Sequence, residues 1–285
     1  MKNSFELGND LARKYQVNNK MNSINTEDDA YWLGFLYADG MVTKDNNIVC
    51  TLKSDDIEHL EKMKKYFDCT YNIKIIKHGK ENSYEGAMLK MTDAKLASNL
   101  ISYGCIPNKS SLNIGFPFEI FKEKQNLIRH FIRGYFDGDG SIYIDAKNKV
   151  GINIIGCTKL ITEINNIIKI SNSVYKEKRC AVETSYISTT AKNKILNFYE
   201  LLYKDSTIYL QRKYDKFQVC FKQFESNEEK KIQNKILLIK ENYKKIIEFK
   251  TKNPDILETK EICRLVNISP PQYYTALKYG SSELQ

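Results

Sequence analysis

The chain has 285 residues, 42% of them hydrophobic, enough to bury a core in one to two domains. Lys and Arg number 44 against 35 Asp and Glu, a net charge of +9 that points to a polyanionic partner. No apolar run reaches the roughly 18 residues that span a bilayer and no charged-then-apolar leader opens the chain, so a soluble intracellular protein is expected. Three histidines exclude a His-rich zinc site, and seven cysteines without a Cys-x-x-Cys pair read as reduced thiols.

In chain order, residues 1–27 form an arm or small helix around Leu11-Ala12-Arg13-Lys14-Tyr15. Trp32-Leu33-Gly34-Phe35-Leu36-Tyr37-Ala38-Asp39-Gly40 then reads as a helix with two small residues four apart and a closing Asp-Gly. Short strands follow at Met41 to Lys44 and Ile48 to Lys53. A helix carrying Ile57, Leu60, Met63, Tyr66 and Phe67 opens on Ser54 as N-cap, with Asp55 and Asp56 in its first turn. Strands at Ile73 to His78 and Tyr84 to Met91, and a helix with Leu96, Leu100 and Ile101, complete the order α-β-β-α-β-β-α. Gly104 to Gln125, with Pro107, Gly115 and Pro117, is a linker.

The same order then recurs. Ile132-Arg133-Gly134-Tyr135-Phe136-Asp137-Gly138-Asp139-Gly140 repeats the first helix, and its acid lies 100 positions after Asp39. Strands are expected at Ile142 to Asp145, Gly151 to Ile155, Val174 to Lys178 and Val182 to Thr189, with helices over Leu160 to Ile168 and Ile195 to Leu202. The fold class is α+β: two pseudo-symmetric αββαββα units forming a saddle of antiparallel sheets, with a small C-terminal helical region. The expected boundaries are 1–27, 28–125, 126–226 and 227–285.

The helical spacing carries chemistry. Gly34 and Ala38, with Gly134 and Gly138, let the two helices approach until their backbones nearly touch. That contact brings Asp39 and Asp139 together at helix C-termini, where the macrodipole disfavours negative charge and a hard divalent cation such as Mg²⁺ compensates. Gly40 and Gly140 are expected to end the helices with positive φ. A calcium loop counted from Asp137 fails, because its glycine and final glutamate positions hold Ile142 and Asn148. His130, just before the second motif, is assigned a structural or surface role.

These two stretches resemble the motifs of the LAGLIDADG homing endonucleases, in the single-chain form with two motifs. Tyr37 departs from the first Asp of the family name, and Gly138 replaces Ala. The resemblance covers about residues 28–220. It implies a monomeric, Mg²⁺-dependent, site-specific endonuclease of double-stranded DNA, with a non-palindromic target on the order of two helical turns. It also implies a basic residue after the last helix of each unit. Gly104-Cys105-Ile106-Pro107-Asn108-Lys109-Ser110 points to Lys109, and Tyr209-Leu210-Gln211-Arg212-Lys213 to Lys213, with Arg212 competing. An intron RNA maturase and a non-cleaving DNA-binding regulator are the alternatives.

Strand alternation selects the side chains that would face DNA. They are Met41, Thr43 and Asp45, then Asn47, Thr51 and Lys53, in the first unit. In the second they are Ser141, Tyr143, Asp145, Lys147 and Asn153. Beyond these, a Lys-rich amphipathic helix from about Glu228 to Lys250 ends before Pro254. A helix over Thr259 to Val266 and another opened by Ser269-Pro270-Pro271 have helix-turn-helix spacing. On that reading Gln272, Tyr273, Thr275 and Lys278 face DNA; the alternative is a helical cap packed on the second unit.

Overall fold

The computed structural model describes residues 15–78, 84–107, 114–178, 183–256 and 258–281. Thr26 opens the first motif helix, α1 (Glu27–Ala38), through a capping box: its hydroxyl accepts the Asp29 N–H while the Asp29 carboxylate accepts the Thr26 N–H. The chain leaves α1 directly into β1 (Gly40–Val42), and Thr43 and Asn46 (φ 60°) turn it into β2 (Asn47–Lys53). Next come α2 (Ile57–Tyr66), β3 (Ile73–His78), β4 (Tyr84–Thr92) and α3 (Ala94–Ser102). Ser54 does not cap α2. Residues Ser54–Asp56 instead form a 3-10 turn, and the carboxylate of Asp56 is turned to another partner described below.

The linker carries α4 (Phe118–Phe121), whose Phe121 packs with Phe116 against Phe131. The second repeat runs through α5 (Ile128–Asp139), β5 (Gly140–Ile144), β6 (Val150–Cys157), α6 (Thr158–Ile168), β7 (Tyr175–Lys176), β8 (Thr184–Thr189) and α7 (Lys192–Leu202). Both sheets are antiparallel with equivalent order, β1-β2-β4-β3 and β5-β6-β8-β7. The registers match too: Met41 lies opposite Val49 as Ser141 lies opposite Asn153. One face of each sheet is buried, through Val42, Ile48, Cys50 and Leu89 in the first and Ile142, Ile152, Ile154 and Ile187 in the second.

The chain divides into two compact units, Met1–Cys220 and Phe221–Gln285. The helix expected from Glu228 is longer, α8 (Gln211–Lys252), because buried Phe217, Cys220 and Phe224 already recur at helical spacing upstream. In the C-terminal unit, α9 (Thr259–Leu265) and α10 (Pro270–Tyr279) enclose a small core of Ile246, Ile262, Cys263, Tyr273 and Ala276. The six described cysteines are thiols not joined in disulfides, and Cys180 lies outside the described residues. Among the described residues no helix is long and apolar enough to cross a membrane.

The α1–α5 crossing organises the first unit. A Cβ on Gly34 would lie 2.0 Å from the Phe131 carbonyl oxygen, and one on Gly134 would lie 2.0 Å from that of Tyr31. Farther along, a Cβ on Gly138 would meet that of Ala38 at 2.3 Å. Gly40 and Gly140 correct the expectation of positive φ: Gly140 is extended (φ −89°), and the only described glycine with positive φ is Gly104. Their Cβ positions are occupied instead by Leu36 and Phe136. Gly34→Val therefore forces backbone from backbone; we expect a loss of about 3 kcal/mol and a melting temperature lower by roughly 8 °C, read by circular dichroism.

Two buried imidazoles flank this crossing. Tyr31 Oη donates its single proton to Asp137 (2.7 Å), so His59 Nε2–H donates to Tyr31 (3.0 Å) and His59 Nδ1 is left buried without a partner. Burial, with Lys62 and Lys213 nearby, holds His59 down at about 3. Burial and Arg133 hold His130 at about 4, in the structural role expected of it. The unfolded chain binds protons near 6.5 that the folded chain refuses, so this contribution is intact above pH 6.5 and is lost as pH falls. The melting temperature should fall between pH 7 and pH 5, and His59→Gln should flatten that slope.

Candidate active site at the junction of the motif helices

Asp39 is the C-cap of α1 (φ −91°, ψ −7°), and Asp139 is the last residue of α5. Both are half-buried. The close approach that excludes side chains at Gly138 also leans Asp39 over it: a Cβ there would lie 3.3 Å from Asp39 Oδ2. Two carboxylates thus stand at two negative dipole ends, an arrangement that calls for cations.

The protein supplies them from the start of α8. Lys213 is only 4% exposed, and its Nζ donates to the carbonyl oxygens of Phe136 (2.5 Å), Asp137 (2.7 Å) and Gly138 (3.1 Å). It caps the C-terminus of α5 from within, where carbonyls lack helical partners. Burial pulls its ammonium down to about 8, against the pull of Asp137, Asp39 and Asp139. Arg212, half-exposed, points the other way and forms a two-point ion pair with buried Asp56, Nη2 to Oδ2 at 3.0 Å and Nε to Oδ1 at 3.2 Å. Arg212 is therefore already held by a carboxylate.

Two openings flank the junction. One, of about 370 Å³, is lined by Asp39, Thr51, Lys53, Asp56, Glu85 and Arg212 among others. The second, of about 390 Å³, is lined by Gly138, Gly140, Ser141, Arg212, Lys213 and Lys216, with Ile142. Asp39, Thr51, Lys53 and Arg212 thus come together, as do Ser141, Arg212 and Lys213. Lys109 lies outside the described residues.

The open faces of the sheets carry Met41, Thr51 and Lys53 on one side and Ser141, Tyr143 and Asn153 on the other. Thr43 accepts hydrogen bonds from Asn47 in the β1–β2 turn, and Asn47 also receives the Thr92 hydroxyl. Asp145 accepts the N–H groups of Lys147 and Lys149, so its carboxylate closes a turn; Asp45 and Lys147 are exposed at the turns. In the C-terminal unit, Lys278 is exposed, Gln272 accepts the Ser269 N–H as a helix cap, and Tyr273 is a correction. Tyr273 is 4% exposed because it fills the core beside Ile246 and Ile262, so it faces inward.

Sequence reasoning missed four features. Lys74 and Lys90 share the open face with Lys53 and follow once alternation is carried into β3 and β4. Asp56 meets Arg212 across 156 positions, a separation no motif signals. Tyr135, buried by α5, donates to the Ile155 carbonyl, and its hydroxyl is held well above the ordinary range by burial and then by Asp139. Asp137 is fully buried and accepts three hydrogen bonds, from Tyr31, Tyr203 (2.5 Å) and the Leu210 N–H (2.7 Å). Burial raises its carboxyl, against Lys213 and these donors.

The geometry of the second repeat has a counterpart among known families: residues 126–202 match the LAGLIDADG-like domain. That match falls on the second repeat, and the first repeat carries the same motif pattern. The two motifs lie on α1 and α5, and the family match covers the second of them, in line with the resemblance read from the residues. The chain is 24% identical over 190 residues to a probable translation initiation factor IF-2 of Methanocaldococcus jannaschii, covering 62% of this chain and 15% of that protein. It is 26% identical over 176 residues to an uncharacterized protein of the same organism, covering 59% of this chain and 64% of the relative. It therefore spans less than two thirds of either relative. Similar solved structures include the meganuclease I-SmaMI bound to uncleaveable DNA, at 14% identity, 74% and 92% coverage of the two chains and a TM-score of 0.48. Another is the LAGLIDADG homing endonuclease I-GzeII in complex with its DNA target, at 16% identity, 88% and 99% coverage and a TM-score of 0.46.

Asp137 links the second motif helix to the Tyr209–Lys213 segment through the Leu210 N–H. Asp137→Ala leaves two tyrosine hydroxyls, a backbone N–H and buried Lys213 without their carboxylate. A loss of roughly 3 kcal/mol is expected, read as a shift of about 8 °C in thermal melting.

Proposed function

We propose that this chain is a divalent-metal-dependent, site-specific endonuclease that cuts both strands of DNA as a monomer. The observation that carries the reading is the pair of carboxylates, Asp39 and Asp139, at abutting helix C-termini in a chain whose second repeat matches the LAGLIDADG-like domain. Two carboxylates are hard oxygen donors, and their position at negative dipole ends suits Mg²⁺ better than any side-chain cation alone. When bound, such an ion lowers the pKa of water and offsets charge on a phosphodiester under attack.

The protein's own groups have separable tasks. Asp39 and Asp139 would hold the ion. Lys213, fixed on the α5 carbonyls, lowers the cost of gathering both acids at one junction, and is the second repeat's basic residue as Lys109 is the first's. The open sheet faces would hold the duplex in register. Those faces differ: the first carries Lys53, Lys74 and Lys90, whereas the open face of the second carries Ser141, Tyr143, Asn153, Tyr186 and Ser188, and the lysine of its β7, Lys176, alternates onto the opposite face. Unequal faces favour a non-palindromic target, with salt-dependent contacts concentrated on one half-site.

The test is cleavage of duplexes selected from a randomised library in Mg²⁺. Asp39→Asn and Asp139→Asn should each lower the double-strand cleavage rate by on the order of 100-fold or more. Undiminished cutting in either variant would refute the assignment.

A further inference from the structure

We propose that the C-terminal helical unit is a second duplex-binding element, presenting the outer stripe of α10, Pro271, Tyr274, Thr275 and Lys278, to a DNA groove. The inward stripe of α10 is defined by its packing. Tyr273 and Ala276 are buried in the core with Ile262 and Cys263, and a Cβ on Gly280 would strike Tyr243. Residues 271, 274, 275 and 278 recur at helical spacing on the opposite side, and Tyr274 is 62% exposed. The stripe that the inward residues anchor is thus rigid.

Its chemistry selects the occupant. No acidic residue occurs from Ile262 to Ser281, while Arg264 and Lys278 are exposed and Lys250 lies 5.5 Å from the Tyr273 ring centroid. The acids nearest in sequence are Glu261 immediately before this stretch and Glu283 after it. A helix that docks in a protein groove lays a continuous apolar face into it, whereas the outer stripe of α10 sets one aromatic ring, Tyr274, beside Thr275 and Lys278. A seven-residue helix, a short turn and a ten-residue helix with Ser269 at its N-cap have the dimensions of a helix-turn-helix, whose second helix enters the major groove. Tyr274 takes the reading position that the sequence suggested for Tyr273.

The inference concerns binding alone and stands apart from the reading of the catalytic junction. The experiment uses the full chain, duplexes recovered by it from a randomised library, and fluorescence anisotropy without divalent metal at several salt concentrations. Tyr274→Ala with Lys278→Ala should weaken binding roughly tenfold and reduce the slope of log affinity against log salt by about one; Arg264→Ala should reduce the slope similarly. All three residues are exposed, so the variants should melt with the parent. Affinity within twofold of the parent with unchanged slope would overturn the proposal. So would a change of oligomeric state in gel filtration with DNA affinity intact, which would make a second copy the occupant. A parent that binds but does not cut refutes the nuclease reading and leaves this one standing; a parent that binds no duplex refutes this one.

Discussion

Two glycines set the distance on which the rest of the first unit depends. With the Cβ positions of Gly34 and Gly134 each 2.0 Å from a carbonyl of the opposite helix, α1 and α5 meet backbone to backbone. Nothing larger than hydrogen fits, and so the two helix C-termini, with their acids, arrive at one junction. The cost is electrostatic, since both termini are negative and both carry carboxylates.

One buried cation, Lys213, meets that cost at the junction, and a second, Arg133, serves the other end of the crossing at Glu27. Lys213 sits on the α5 carbonyls, while Arg133, with 0% exposure, donates to the Ile208 and Leu202 carbonyls and to Glu27 (2.6 Å). Glu27 also accepts the Thr207 N–H and is held below the ordinary range; burial opposes this, but that bond and the charges of Arg133 and His130 outweigh it. These contacts tie the first turn of α1 to the segment after α7. Removing one partner of such a network strands the other, which is why the arrangement is rigid.

The repeats are equivalent in topology and unequal in chemistry. Tyr37 stands where Asp137 stands, and its hydroxyl donates to the Tyr103 carbonyl (2.5 Å), where Gly104, at φ +100°, leaves room for the ring. In the second repeat the corresponding tyrosine, Tyr203, donates to Asp137 instead. One junction is thus closed by a neutral hydrogen bond and the other by a carboxylate hub that also faces Lys213.

The repeat order, the motif helices and the strand positions were legible in the sequence, because hydrophobic periodicity and small-residue spacing are local properties that each segment expresses alone. Asp39 and Asp139 were legible for the same reason, each being fixed by four residues of its own helix. What only the tertiary structure decided is what long-range packing controls. Asp56 was read as part of a helix's first turn, and instead holds Arg212 from 156 positions away. Tyr273 was read as exposed and is core, because a three-helix core has few positions to fill and needs a large ring. Gly40 and Gly140 were read as left-handed caps and are extended, since Leu36 and Phe136 leave no volume for a side chain. Periodicity assigns a residue to an element and a face; which charge meets which, and which face is covered, depends on neighbours that the folded chain brings from far away.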